Sequence, residues 1–282
     1  LVSSSCATPK TEQEDTTIIR EDSGITALKY SSPEVPASIE FCGKTIDLSR
    51  FDRHERMDRE LLAFTYMHST SLQMLKKANR YFPIVEPILK ENGIPDDFKY
   101  LMDYGLAVNN NVDERYHIEK ATRAACRYLK DAYAKYKDWV AVAASYNAGQ
   151  ARIASQLAKQ DVDDSLDLQL VEETARYVYR ILAAKQLFNA PTTFGFRLRA
   201  SDLYPPIPYT EITVTKGLAD LARFARSKGI NLAILKNMNP WLRETSLSNH
   251  SGRTYVIKIP TKEGMTYHPK KTVAHDKRWV IE

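Results

Sequence analysis

The sequence predicts a mainly α protein whose last third becomes a small α+β module. Three observations carry this. Apolar residues recur at spacings of three and four between Asp52 and Phe188. Pro191, Pro205, Pro206 and Pro208 then crowd residues 190–210. Beyond them, two short β-branched runs bracket two short helical patterns. The 282 residues are 43% hydrophobic and 27% charged, enough to bury a sizeable core without disulfides or metals. Cys6, Cys42 and Cys126 are too few and too irregular for a disulfide framework or a zinc site. The net charge of +5 suits an anionic partner such as a wall or membrane surface. Without a Lys- or Arg-rich run it argues against nucleic acid. No stretch approaches the ~20 apolar residues of a membrane span.

Taken in order, residues 1–37 are rich in Ser, Thr, Glu, Asp and Pro and read as a flexible tether. Cys6 follows Leu1-Val2-Ser3-Ser4-Ser5. It reads either as a lipidated cysteine behind a signal peptide or as a spare thiol on a Ser-rich terminus. From Asp52 to Lys90 the pattern is helical, with Leu61, Leu62, Phe64, Met67, Leu72, Leu75 and Ala78 in phase. Pro83 and Pro87 interrupt, and Pro83 is expected to open a new helix through Leu89. Asn92-Gly93 ends it, and Pro95 or Asp96 starts a helix holding Phe98, Leu101 and Met102.

Glu119 to Tyr136 is a helix whose packing face is Ala121, Ala124, Ala125, Tyr128, Leu129 and Ala132. Cys126 inside it reads as a small buried side chain. Trp139 to Ser145 is apolar nearly all round, the mark of a helix in the centre of a domain. Glu172 to Phe188 is the next helix, and everything before residue 190 is expected to be all-α. Then come a strand at 211–214, a helix from Leu218 to Ser227 closed by Gly229, and a second helix from the cap Asn231 to Met238. A strand over 254–260 completes a βααβ order. Residues 261–282 read as a basic, polar tail.

Several ordered phrases resemble the lytic transglycosylase family. Ala144-Ser145-Tyr146-Asn147-Ala148-Gly149 matches its A-x-Y-N-A-G signature at the end of the most apolar helix. Gly93-Ile94-Pro95-Asp96-Asp97-Phe98-Lys99-Tyr100-Leu101 resembles the helix leading to the catalytic glutamate. Tyr104-Gly105-Leu106 with Val112-Asp113-Glu114-Arg115 resembles the stretch after the active site, and Glu173-Thr174-Ala175-Arg176-Tyr177-Val178 a late helix. The βααβ module resembles LysM, a glycan-binding fold. Ordered together, the phrases are far more specific than any one alone.

The resemblance implies a lysozyme-like helical domain over 38–200, a Pro-rich linker over 201–210, a LysM-like module over 211–260 and the tail 261–282. It implies peptidoglycan as substrate. The β-1,4 bond after N-acetylmuramic acid is cut without water to leave a 1,6-anhydro sugar, with one glutamate as acid and then base. It also implies a periplasmic location, with an outer-membrane anchor if Cys6 carries a lipid. No cofactor or metal is expected: the six histidines show no metal-ligand spacing.

One departure matters. The resemblance places a Glu-Ser phrase and a further helix after Lys99, yet Met102 runs straight into Asp103 and Tyr104-Gly105-Leu106. Roughly 25–35 residues, one helix and its loops, are absent there. The catalytic glutamate is therefore expected but lacking between Met102 and Asp103. Either the protein carries a segment that this sequence omits, or it has lost the segment and binds glycan without cutting it. Asp96, Asp97, Asp103, Asp113 and Glu114 lie nearby. Asp96 and Asp97 read as helix N-terminal residues and Asp113-Glu114-Arg115 as a local ion pair and turn. By resemblance Tyr146 positions the glutamate. Asn147 bonds backbone or substrate, or with Gly149 merely enables the turn. Tyr177 approaches the sugar or is core, and Glu173 bonds substrate or caps its helix. Trp241 and Tyr255 stack on sugars or belong to the module's core.

Overall fold

The computed structural model describes residues 31–101, 112–162 and 164–281. Cys6 and the Met102–Asp103 junction lie outside the described residues. The centre of the fold is α4 (Trp139–Ala148), where Val140 to Ser145 are each at most 1% exposed. A helix without a polar face must be covered on every side. Here α3 (Ile118–Tyr136), α5 (Gln150–Gln160) and α6 (Glu172–Asn189) do so. Asp138 starts α4 by accepting from the N–H groups of Val140 (3.1 Å) and Ala141 (3.3 Å). The same carboxylate accepts from the Ser165 hydroxyl at 2.6 Å. The one polar side chain buried in the helix, Ser145, is satisfied by donating to the Val142 carbonyl at 2.8 Å.

On α3 the buried stripe is Ala121, Thr122, Ala125, Cys126, Leu129 and Ala132, small residues that let it close on α4 and α2. Cys126 is fully buried, as its place in the pattern implies. Ala124 and Tyr128, expected on the packing face, turn partly toward solvent. α1 (Phe51–Tyr66) packs along α6. There the buried Glu60 is held by Arg176 at 2.6 Å.

Three expectations for this half are overturned. α2 (His68–Glu91) runs unbroken through Pro83 and Pro87 instead of restarting at Pro83. The prolines deprive the Asn79 and Pro83 carbonyls of their helical donors. Phe82, Val85, Ile88 and Leu89 on the same stretch are buried in the core and hold the helix together regardless. The first 190 residues are also not all-α. β1 (Ser38–Phe41) and β2 (Lys44–Asp47) form an antiparallel hairpin that buries Ile39, Phe41 and Ile46. Its turn residues Cys42 and Gly43 both have positive φ (53° and 83°), the geometry of a two-residue hairpin turn. The Cys42 N–H donates to Asp97 at 2.6 Å, tying the turn to the loop after α2. That loop, Asp96–Tyr100, is a single 3-10 turn rather than a full helix. α5 had no counterpart in the sequence reading; among its side chains only Ile153 is fully buried.

The module consists of β3 (Tyr209–Val214), α7 (Leu221–Ser227), α8 (Leu232–Met238) and β4 (Tyr255–Pro260). β3 and β4 pair antiparallel, with Val214 opposite Tyr255. The first helix starts at Leu221 rather than Leu218, because Leu218 is bridged to Leu247 and Asp220 caps Arg223 at 2.8 Å. Asn231 caps the second helix as expected, accepting from Ile234 at 2.9 Å. Asn239, fully buried, donates to the Lys258 carbonyl (2.7 Å) and accepts its N–H (2.8 Å), fastening the end of α8 to β4.

Both chain segments flanking the module are packed down. Over 190–210, Phe194, Phe196, Leu198 and Leu203 are buried. Tyr204 donates its N–H to the Lys76 carbonyl at 3.1 Å, and the Arg80 guanidinium donates to the Pro205 carbonyl at 3.0 Å. The basic tail returns to the helical half. Trp279, 3% exposed, sits 5.6 Å from Phe82 and 5.4 Å from Phe188, and its indole N–H donates to the Phe188 carbonyl at 3.0 Å. The His275 N–H donates to the Asn79 side chain at 2.7 Å. Among the described residues, no helix is long and apolar enough to cross a membrane.

Trp279→Ala removes the anchor of this returning tail. It is expected to cost about 3–5 kcal/mol, read as a lower midpoint in chemical denaturation followed by helical circular dichroism.

Candidate functional site

The buried helix α4 ends in a pair of residues that leave the core. Tyr146 is half-buried, Asn147 is exposed, and Gly149 turns the chain into α5 with φ of +87°. A side chain at that φ would be strained, so glycine is required for the turn. The Ser145 carbonyl accepts from the Tyr128 hydroxyl at 2.5 Å and from the Gly149 N–H at 2.7 Å. The Tyr128 ring meets the Tyr146 ring edge-on at 5.4 Å. Asn147 accepts from the Thr174 hydroxyl of α6 at 2.9 Å, so its side chain bridges two helices. One turn further along α6, Tyr177 joins the same surface.

These residues floor a cleft of ≈1260 Å³. One wall is a single stripe of α2: Lys77, Arg80, Tyr81 and Ile84. The opposite wall belongs to the module, through Tyr209, Met238, Pro240 and Lys258. The two sides are joined at Val112, bridged to Leu242, and at Asp113, whose N–H donates to the Trp241 carbonyl at 2.9 Å. The cleft is thus built by the helical half and the module together.

Glu119, at the start of α3, is the one carboxylate lining the cleft among the described residues. It is paired with Lys258 of β4, and His117 Nδ1 lies 3.2 Å from its other oxygen. Burial opposes ionisation of Glu119, but His117 and Lys258 outweigh it and hold the carboxyl at about 2. Glu119 is therefore a carboxylate at neutral pH and has no proton to give. Nothing in the sequence distinguished it from an ordinary first-turn acid.

The structure sorts the expected site residues. Tyr146, Asn147 and Tyr177 come together on the cleft floor. Glu173 is exposed on the first turn of α6, outside the cleft lining; its side chain makes no cap. Trp241 touches the cleft but is 4% exposed and stacks on His117 (6.0 Å) and Tyr255 (5.6 Å). The expectation that it stacks on a sugar is corrected: its faces are spent on protein packing. Tyr255 is core as well, 6% exposed.

The neighbouring acids among the described residues are committed elsewhere. Asp96 pairs with Lys99 at 2.6 Å and Asp97 with Lys185 at 2.7 Å. Asp113 holds Arg115 at 2.6 Å and Glu114 holds Lys120 at 2.8 Å. Asp103 lies outside the described residues. No cluster of three or more His, Cys, Asp or Glu among the described residues could hold a metal.

Two family models match segments that meet at this cleft. Residues 100–167 match the transglycosylase SLT domain, and residues 210–263 match the soluble lytic transglycosylase C-terminal LysM-like domain. The chain resembles the SLT lytic transglycosylases, with a LysM-like C-terminus. Among individual proteins it is similar to membrane-bound lytic murein transglycosylase D of Escherichia coli strain K12, at 27% identity over 165 residues. The same enzyme from Escherichia coli O6:H1 matches equally. The alignment covers 57% of this chain and 35% of each relative, so the chain spans about a third of their length.

The Glu119 pair makes a pH prediction. A carboxyl held at about 2, against its ordinary 4.5, stabilises the fold above pH 4.5, and that stabilisation is lost as pH falls toward 2. Lys258→Met is expected to lower the urea midpoint at pH 7 and to flatten its decline between pH 4.5 and 2. An unchanged slope would mean that the pair does not couple the module to α3.

Proposed function

We propose that the protein acts on peptidoglycan as a lytic transglycosylase, cutting the β-1,4 bond between N-acetylmuramic acid and N-acetylglucosamine to leave 1,6-anhydro products. One observation carries the reading. The Tyr146-Asn147 end of the buried helix opens into a long cleft walled by the LysM-like module, where the two family matches meet. A cleft lined by tyrosines suits sugar rings, which present apolar faces ringed by hydroxyls. Tyr146, Asn147 and Tyr177 bind the strand, and Tyr146 positions the glutamate that the family places beside it. The work is done in the periplasm, at the outer membrane where Cys6 carries a lipid.

The chemistry needs an acid that keeps its proton near neutral pH, which burial against apolar walls supplies. That acid belongs at the junction after Leu101. There the family places a glutamate, whereas this sequence holds Asp103 as its only acid before Val112. A second reading therefore has a specific observation behind it. With Glu119 locked as a carboxylate, the described cleft has the means to bind a strand but no carboxylic acid to protonate a glycosidic oxygen. In that case the protein is a catalytically inactive peptidoglycan-binding lipoprotein.

Incubation with purified sacculi separates the two. The protein is expected to sediment with them and to release 1,6-anhydromuropeptides, detected by mass spectrometry. Sedimentation without release establishes the binding protein instead, and failure to sediment removes both. Tyr146→Ala is expected to weaken sedimentation about tenfold.

A further inference from the structure

The cleft is unevenly charged. Its lining includes the cations Lys77, Arg80, Arg115 and Lys258 against the single carboxylate Glu119. Two of the four are neutralised from within: Lys258 by Glu119, and Arg115 by Asp113. No carboxylate among the described residues pairs with Lys77 or Arg80. Both stand one turn apart on the same face of α2, beside Tyr81 and Ile84. Lys77 is exposed; Arg80 is half-buried and donates only its Nε–H, to the Pro205 carbonyl. Its guanidinium also lies over the Tyr204 ring, 5.5 Å from the centroid, and its terminal N–H groups stay available to an acceptor. The cleft thus has a tyrosine-lined floor across its middle and, along one wall, two positive charges with no carboxylate partner among the described residues.

A glycan of N-acetylated sugars with amide-linked lactyl groups is neutral along its backbone. It offers such a pair neutral acceptors but no opposite charge. The carboxylates of peptidoglycan lie off the backbone, on the peptide stems that project from the muramic acid. Resting on the reading of the cleft as a glycan site, we infer that Lys77 and Arg80 recognise stem-peptide carboxylates. The cleft therefore selects strands that carry their stems over strands that have lost them. Lys77 suits this role because it is exposed, where a group standing away from the sugar would arrive. Arg80 is fixed by its bond to the Pro205 segment, so it gives up less side-chain freedom on binding. The stripped strand has a carboxylate of its own, the free lactyl group left when the stem is cut off, so the test must tell the two sources apart.

The experiment measures binding of the full chain to three soluble probes of equal sugar length. They are peptide-bearing glycan strands, the same strands stripped by an amidase, and an N-acetylglucosamine oligomer. The stem-bearing strand is expected to bind about tenfold tighter than the stripped one, with the gap narrowing as salt is raised. Lys77→Glu is expected to abolish the gap while leaving the neutral oligomer within about twofold of wild type; Lys77→Arg should preserve it. Stem-bearing and stripped strands binding alike, both tighter than the neutral oligomer, would assign the charges to the lactyl group and overturn the inference. All three probes binding alike would overturn it while leaving the glycan cleft in place. No binding of any probe would remove the glycan reading itself. Circular dichroism of Lys77→Glu checks folding, and a misfolded variant passes the decision to Lys77→Ala.

Discussion

Everything in the helical half depends on burying α4. Six consecutive residues, Val140 to Ser145, have no face that tolerates water, so the helix can exist only inside a sleeve of others. Each larger apolar side chain removed from water contributes about 1.5–3 kcal/mol. Small residues, Ala141, Ala143 and Ala144, let the sleeve close tightly. The same constraint fixes the site. A helix buried to its last turn delivers the residues just past that turn to one defined place. Tyr146 and Asn147 are held by Tyr128 from α3 and Thr174 from α6, not by a loop of their own. Precision at the cleft floor is a by-product of core packing.

The module is secured in a different way. Its own core is small, built on Leu221, Ala225, Leu235 and Ile257. Val112, from the helical half of the sequence, completes that core and bridges to Leu242. The segment entering the module is tied to α2 at Lys76 and Arg80, and the segment leaving it is tied near Phe82 and Phe188 by Trp279. Two anchors on the same helix, one on each side, restrain the module far more than a single linker would. That restraint is what allows β4 and the end of α8 to serve as a wall of the cleft rather than as a tethered domain.

How much of this was legible in the sequence follows the length and regularity of each pattern. α3, α4 and α6 are long or extreme in composition, and their apolar spacing locates them to within a few residues. The βααβ order was legible because Asn231 and Gly229 are strong local signals. The hairpin was not. Its strands are four residues each, and its turn is Cys42-Gly43 rather than one of the common hairpin pairs. Pro83 misled because its cost is local while the apolar stripe that outweighs it is spread over several turns. The tail looked featureless because one residue, Trp279, does most of its packing, and a lone aromatic carries no periodicity. At the site, Tyr146, Asn147 and Tyr177 were found through motif resemblance. Glu119 was missed because its partner Lys258 is 139 residues away.

Binding and chemistry make opposite electrostatic demands on this cleft. Joining the module to α3 needs a charge pair, and the pair found, Glu119 with Lys258, works only while the carboxyl is ionised. A general acid needs the reverse: a carboxyl kept from ionising by apolar walls and kept away from cations. One acid cannot do both. A carboxyl close to Lys258, Lys77 or Arg80 would be pulled below its ordinary value and lose its proton. The proton donor of a working cleft therefore has to stand away from these cations and against apolar walls. The 3-10 turn that precedes the junction after Leu101 packs Phe98 on Trp139 at 5.2 Å, at the start of α4 rather than at its Tyr146 end. Electrostatics thus limits where such an acid can stand, and the resemblance alone points to the stretch after Leu101.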